Sequence, residues 1–262
     1  MKYTKYVFIM VFVTCASVVY SGQSNPNAAP GTAIASPAEK DVSNGGFQMD
    51  IYDTNEGELK ITFYGHASLM FNFAGKSIYI DPVTQYADYT KQPKADLILV
   101  THDHGDHLDV RAIDALKKEG TQIVLTKACS QKVTGGIVMN NGDTKTIDGL
   151  KIEAVPAYNL DPQTRFHPKG VGNGYVITFG DKKVYIAGDT ENIPEMKNLK
   201  DIYIAFLPMN LPYTMTPEMA AEAAKVIKPK ILYPYHYGQT DTKKIVDLLK
   251  DSGIEVLIRK LS

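Results

Sequence analysis

The sequence predicts an α+β domain in which two β-sheets pack face to face with helices on their outer surfaces. Three observations lead there. Apolar segments of strand length alternate with helical patterns along most of the chain. The second half repeats the outline of the first. Residues of metal-ligand type stand at the tips of apolar strands in both halves.

Taken in order, residues 59–64 alternate apolar and polar side chains, the period of a half-buried strand. Residues 68–73, the Ala74-Gly75-Lys76 turn and residues 77–80 read as a hairpin. Residues 96–100 are a short apolar strand. A helix follows: Asp109 can cap it, Val110, Ile113 and Leu116 form its buried stripe, and Gly120 ends it. Residues 122–125 and 151–155 are further strands. Residues 175–179, Gly180-Asp181-Lys182 and residues 183–186 make a second hairpin. Each hairpin runs strand, glycine turn, lysine, then a strand leading to an aspartate, Asp81 or Asp189. A strand over 202–207 precedes a helix from Thr216, with Pro217 in its first turn. A strand over 231–235, a helix over 241–250 stopped by Gly253, and a strand over 254–258 complete the pattern.

At 262 residues the chain has room for one large domain or two small ones. Lys2 and Lys5 precede an almost continuously apolar run over residues 6–20. That run is short for a bilayer span and has the order of a secretory signal, with Val19-Tyr20-Ser21 near a cleavage point. Residues 1–21 are therefore expected to be a signal peptide, and the protein to be periplasmic or secreted. A lipid anchor at Cys15 is the alternative, although Thr14 stands where a lipobox has Gly, Ala or Ser. The chain is rich in Asn, Ala, Pro, Ser and Gly up to Gly46, so residues 22–57 are expected to form a flexible linker. Residues 58–262 are expected to form one domain.

Cys15 and Cys129 are the two cysteines. Loss of the signal leaves one thiol and no internal disulfide, and Cys129 reads as a small buried side chain. The formal net charge of −1 gives no broad basic field for nucleic acid, so no nucleic-acid partner is expected.

Thr101-His-Asp-His-Gly-Asp-His-Leu-Asp109 gathers His102, His104, Asp106 and His107 into one loop, three of the six histidines. Imidazole nitrogen and carboxylate oxygen are donors that suit zinc. His102 and His104 lie two apart, so an extended strand end aims both at one point. Gly105 lets the chain turn, so that Asp106 and His107 face a neighbouring point. One loop then serves two adjacent divalent ions, and further ligands must come from elsewhere. Asp189, after Ala187-Gly188, is placed to bridge them. His236, between an apolar strand and Gly238, is the other candidate. Alone, His236 would read as a hydrogen-bonded core histidine; beside the cluster it reads as a ligand.

With these residues in this order, the chain resembles the metallo-β-lactamase superfamily from about residue 59 to its end. The resemblance rests on Thr101-His-Asp-His-Gly-Asp-His107, Gly188-Asp189-Thr190 and His236. Tyr64-Gly-His-Ala-Ser68 and Ile80-Asp81-Pro82 are similar to segments of the branch that holds ascorbate-phosphate lactonases and phospholipase D-type phosphodiesterases. The resemblance implies a four-layer αββα sandwich with two metals, zinc or else manganese or iron, at one edge of the paired sheets. It implies metal-activated water attacking a carbonyl or phosphoryl centre, with Asp106 and His66 in catalytic positions. His66 falls beside the site, as a support for the ligands, a substrate contact or a structural histidine. Asp81 is expected to orient the histidine loop.

One position departs from the family. Another histidine is expected after the strand over 152–157, and this chain has Tyr158-Asn159 there. Asn159 would be a weaker oxygen ligand suited to harder ions. His167, in Arg165-Phe-His-Pro-Lys169, is the alternative and reads as a ligand, a substrate contact or a structural residue. The site of Asp106, His107, Asp189 and His236 is expected to be complete; that of His102 and His104 is expected to be weaker.

The expectation is therefore an exported hydrolase of a small anionic ester, lactone or phosphodiester. A non-catalytic metal-binding protein of the same fold, or a nuclease, is the alternative. Arg165 and Lys169 are candidate anion contacts. Tyr213 and Met215 are candidate pocket walls.

Overall fold

Four antiparallel strands open each half of the chain and three parallel strands close it. A computed structural model describes residues 46–160 and 166–261. In the first half, β1 (Gln48–Thr54), β2 (Gly57–Gly65), β3 (Ser68–Phe73) and β4 (Lys76–Ile80) form the meander. The parallel strands β5 (Leu97–Leu99), β6 (Gln122–Leu125) and β7 (Ile137–Val138) follow, with α1 (Val110–Leu116) between β5 and β6. The second half repeats this with β8 (Thr144–Ile147), β9 (Leu150–Ala157), β10 (Gly172–Phe179) and β11 (Lys182–Ile186). Then come β12 (Ile202–Pro208), α2 (Pro217–Ile227), β13 (Ile231–Tyr235), α3 (Lys243–Leu249) and β14 (Glu255–Val256). The result is two seven-stranded mixed sheets, each in strict chain order.

Strand period assigns the layers. Leu69, Phe71 and Phe73 of β3 point between the sheets with Ile78 and Ile80 of β4, while Met70 and Tyr79 face out. Val184 and Ile186 of β11, Ile204 and Phe206 of β12, and Ile231 and Tyr233 of β13 fill the same inner layer. The repeated hairpins meet there, with the Phe71 and Phe179 rings 5.4 Å apart. Ala112, Ile113 and Leu116 of α1 pack on the outer face of the first sheet. Ala220, Ala223, Ala224 and Ile227 of α2 and Ile245 and Leu249 of α3 cover the second. Burying one apolar face per helix and two per sheet yields the αββα layers that the sequence predicts. Asp109 caps α1, accepting from the Arg111 amide at 3.0 Å, and Thr216 caps α2.

Several expected boundaries shift. Residues 48–54 of the expected linker form β1, paired along its length with β2. Asp50 on β1 is buried and salt-bridged to Arg259 near the C-terminus, so the fold begins before residue 58. β7 and β8 are additional strands, and the last expected strand shortens to β14. The signal segment 1–21, Cys15 and residues 22–45 lie outside the described residues, as does Arg165. No described helix is long and apolar enough to cross a membrane. Cys129 is buried, and burial pushes its thiol up.

Candidate metal centre

The strand ends deliver the site. His102 to His107 follow β5, Asp189 follows β11, His236 follows β13, His66 sits in the β2–β3 turn, and Asn159 follows β9. All lie at one edge of the two sheets, where the parallel strands of each half end. The backbone is strained there: His66, Asp81 and His236 adopt φ of 53°, 43° and 48°. Gly188 also has a positive φ of 66°, and a Cβ there would stand 2.8 Å from the Asn173 carbonyl. Glycine therefore lets Asp189 approach the centre.

Two groups of donors converge. His102, His104 and His167 form one, and His66, Asp106, His107 and His236 the other, each with its ligand atoms within 4.8 Å of one another. Asp189 stands between them. Its Oδ2 is 3.2 Å from Nε2 of His167 and 3.2 Å from Nε2 of His236, and its Oδ1 is 3.3 Å from Nε2 of His107. Asp106 Oδ2 lies 3.2 Å from His66 Nε2 and 3.6 Å from His236 Nε2.

Hydrogen bonds on the far side of three rings, His102, His107 and His167, set their tautomers. Asp81 is fully buried and accepts from the Thr101 amide at 2.8 Å, the Thr101 hydroxyl at 2.6 Å and His107 Nδ1 at 2.8 Å. The Thr101 hydroxyl spends its proton on Asp81, so it accepts from His102 Nδ1 at 3.1 Å. Both imidazoles thus carry hydrogen on Nδ1 and turn an Nε2 lone pair inward. Asp81 therefore orients the histidine loop, as its position suggested.

His167 is held in the same way, and here the expectation for Asn159 is corrected. The Asn159 amide group donates to the Tyr213 carbonyl at 2.8 Å and to Glu191 at 3.4 Å. Its Oδ1 must then face His167, where it accepts from the backbone amide and from Nδ1, each at 3.0 Å. Asn159 points its oxygen away from the centre and at a histidine. His167 takes the position the sequence left open, with its Nε2 turned inward.

Among the described residues, ten buried side-chain polar atoms have no hydrogen-bond partner, and six belong here. They are Nε2 of His102, His107, His167 and His236, Nδ1 of His236, and Oδ1 of Asp189. Buried polar groups are otherwise paired, so inward atoms of nitrogen and carboxylate type fit a divalent metal.

The electrostatics divide the donors: burial would lower His107 and His236, but Asp189 outweighs it and raises both, so each must shed a proton to ligate. Burial drives the His102 imidazole well below its ordinary range, so it is neutral and free to ligate. Burial also lowers His104 and His66. Burial alone would raise Asp189, but His107 and His236 outweigh it and hold the carboxyl well below the usual range. Asp106 is likewise depressed: burial opposes this, and His236 and His66 prevail.

Other expected contacts fall differently. Lys169 Nζ is engaged by Glu195 at 2.7 Å and by the Tyr158 hydroxyl at 3.1 Å, so it is a surface clamp and not a free anion contact. Met215 is fully buried in the core with the side chains of α2. Tyr213 is exposed beside the site, edge-on to Phe166 at 4.9 Å. Residues the sequence did not single out also serve the site. Glu191 accepts from Asn159, and Tyr86 stacks on His66 at 5.4 Å. Lys132 donates to the Asp103 carbonyl at 2.5 Å, tying down the histidine loop. Only the position of Glu191 two residues after Asp189 hinted at any of these.

Comparison with known proteins agrees with this geometry. The family model described as a β-lactamase superfamily domain matches residues 60–236. A UPF0173 metal-dependent hydrolase of Methanopyrus kandleri is 32% identical over 218 residues, covering 76% of this chain and 94% of the relative. A crystal structure from Parabacteroides distasonis, assigned as a metal-dependent hydrolase, is 56% identical with a TM-score of 0.81 and covers 82% of this chain and 100% of that one. Igni18, a metallo hydrolase of Ignicoccus hospitalis, is 28% identical with a TM-score of 0.66, covering 78% of this chain and 96% of that one. The chain belongs to the metallo-β-lactamase superfamily and, within it, to the UPF0173 metal-dependent hydrolases.

Proposed function

We propose that this protein is an exported hydrolase that holds two divalent ions and cleaves a small anionic ester, lactone or phosphodiester. The observation that carries the reading is the convergence of two histidine-rich groups on Asp189. His102, His104 and His167 would hold one ion. Asp106, His107 and His236 would hold the second, with Asp189 between the two. The nitrogen-rich donor set suits zinc, with manganese or iron as alternatives. Such ions supply Lewis acidity and an acidified water.

The chain's own residues do the rest. Thr101, Asp81 and Asn159 fix three imidazoles in the tautomer a ligand needs. Asp106 is the accessible carboxylate of the centre, its side chain 46% exposed against 4% for Asp189. Held ionised by His236 and His66, it can orient a water by accepting its hydrogen bond. His66 contacts Asp106 Oδ2 and steadies it. The similarity of residues 64–68 to the lactonase and phosphodiesterase branch supports lactones and phosphodiesters as substrates. The inward Nε2 of His167, held by Asn159, supports a full first site and so favours turnover over the non-catalytic alternative.

Metal content of the purified chain, with turnover of lactones and phosphodiesters, tests the reading. We expect about two ions per chain, and a loss of metal and turnover in His236→Ala. A chain with no metal, or with two ions and no hydrolysis of any ester class, would refute it. Export is tested separately by fractionation: a mature N-terminus near Ser21 in the periplasm or medium supports it, and full-length cytosolic protein refutes it.

A further inference from the structure

A cavity of about 270 Å³ opens directly onto the metal centre. His102, His104, His167 and Asp189 form part of its lining; Phe166 and Val171 are its large apolar side chains. Both are exposed, Phe166 at 41% and Val171 at 40%, and Tyr213, packed against Phe166, is exposed at 42%. Scattered apolar residues on a surface are ordinary, but a cluster at the mouth of a polar site is not. No Lys or Arg is among the described lining residues. Of the described lysines nearby, Lys169 is turned to Glu195 and Tyr158, and Lys132 to Asp103.

We infer that the substrate carries an apolar group, aromatic by preference, beside its scissile bond, and that Phe166 and Val171 receive it with Tyr213 as a buttress. The inference rests on the hydrolase reading and narrows its substrate class. The anionic character of the substrate is confined to the group that faces the histidines and Asp189. The arm that leaves the centre is uncharged. A flat ring suits this wall, because aromatic pairs gain from edge and offset contacts beyond the area they bury. The cavity volume is large enough for a phenyl group.

Two phosphonates that cannot be hydrolysed serve as probes: methylphosphonate, and benzylphosphonate with the same anionic head and one aromatic arm. Binding to the zinc-loaded chain is measured by calorimetry. Burying one ring is expected to make benzylphosphonate tighter by about tenfold or more. Phe166→Ala should cut that preference, read as the ratio of the two affinities, to about twofold. Phe166 is exposed, so the variant folds. Equal affinity for the two probes, or a preference that survives both Phe166→Ala and Val171→Ser, would overturn the apolar subsite and leave the metal reading standing. A chain that takes up neither zinc, manganese nor iron would overturn both.

Discussion

Asn159 Oδ1 accepts a hydrogen bond from Nδ1 of His167 at 3.0 Å, and this contact sets the direction of the inward nitrogen. An asparagine stands where relatives of this fold were expected to carry a histidine, and the histidine has moved eight residues along. On the proposed reading, Asn159 would orient and His167 would donate, together filling the place of a single ligand. Asn159→Ala should lower metal affinity at the site of His102 and His104 by about 10–100-fold, the usual range when a ligand's support is lost. Competition against a chromogenic chelator measures it. Unchanged affinity would show that His167 is held by something else.

The metal-free centre should be a proton reservoir. Burial pulls the His236 imidazolium down, but Asp189 and Asp106 outweigh it and raise the group to about 10. A ligand must be neutral, so metal uptake expels that proton. Affinity should then rise by about tenfold per pH unit below that value. Calorimetry at pH 7.5 in two buffers of different ionisation enthalpy should report release of about one proton or more per chain. The sign for stability runs the other way. A raised imidazole stabilises the metal-free fold fully below its ordinary value of 6.5 and loses that contribution as pH rises toward about 10. Thermal melts of chelated protein should fall across that window.

Asp81 accepts three hydrogen bonds with no exposure to water. Asp81→Ala would strand the Thr101 amide, the Thr101 hydroxyl and His107 Nδ1. We expect a loss of about 3 kcal/mol or more in stability. The second site should also lose metal, because His107 would be free to turn. Urea unfolding with metal analysis separates the two effects, and retention of both would refute the role.

Asp50 of β1 is 1% exposed and is gripped by the Arg259 guanidinium, with Nε at 3.0 Å and Nη2 at 2.9 Å from Oδ2. The Tyr233 hydroxyl closes the group. Arg259→Ala leaves a buried carboxylate without its ion-pair partner and should cost about 3–5 kcal/mol. Removing residues 46–57 should destabilise the chain by a comparable amount, because it deletes β1 along with Asp50. Denaturation midpoints check both, and wild-type stability in either would show that β1 is dispensable.

Much of this was legible in the chain. Two apolar runs joined by a glycine turn marked each of the paired hairpins, in residues 68–80 and 175–186, because turn chemistry is local to the chain. The capped helix after Asp109 followed from local hydrogen bonding. His102, His104, Asp106 and His107 sit in one loop, so their convergence needed only local geometry. Asp189 and His236 announced themselves by standing at the ends of apolar strands.

The choice between Asn159 and His167 was not local. The chain returns after residue 160, and the Asn159 amide meets the His167 carbonyl at 2.9 Å. That closure, with Glu191 and Tyr213 holding the Asn159 amide group, decides which side chain enters the centre. The pairing of Lys169 with Glu195 and the burial of Met215 under α2 are of the same kind. So is β1, whose one buried carboxylate finds its arginine more than two hundred residues away. Periodicity, capping and motif spacing depend on neighbours along the chain and can be read from residue order. Which of two candidates fills a shared point depends on groups brought together across the sheets, and that energy exists only once the layers have closed.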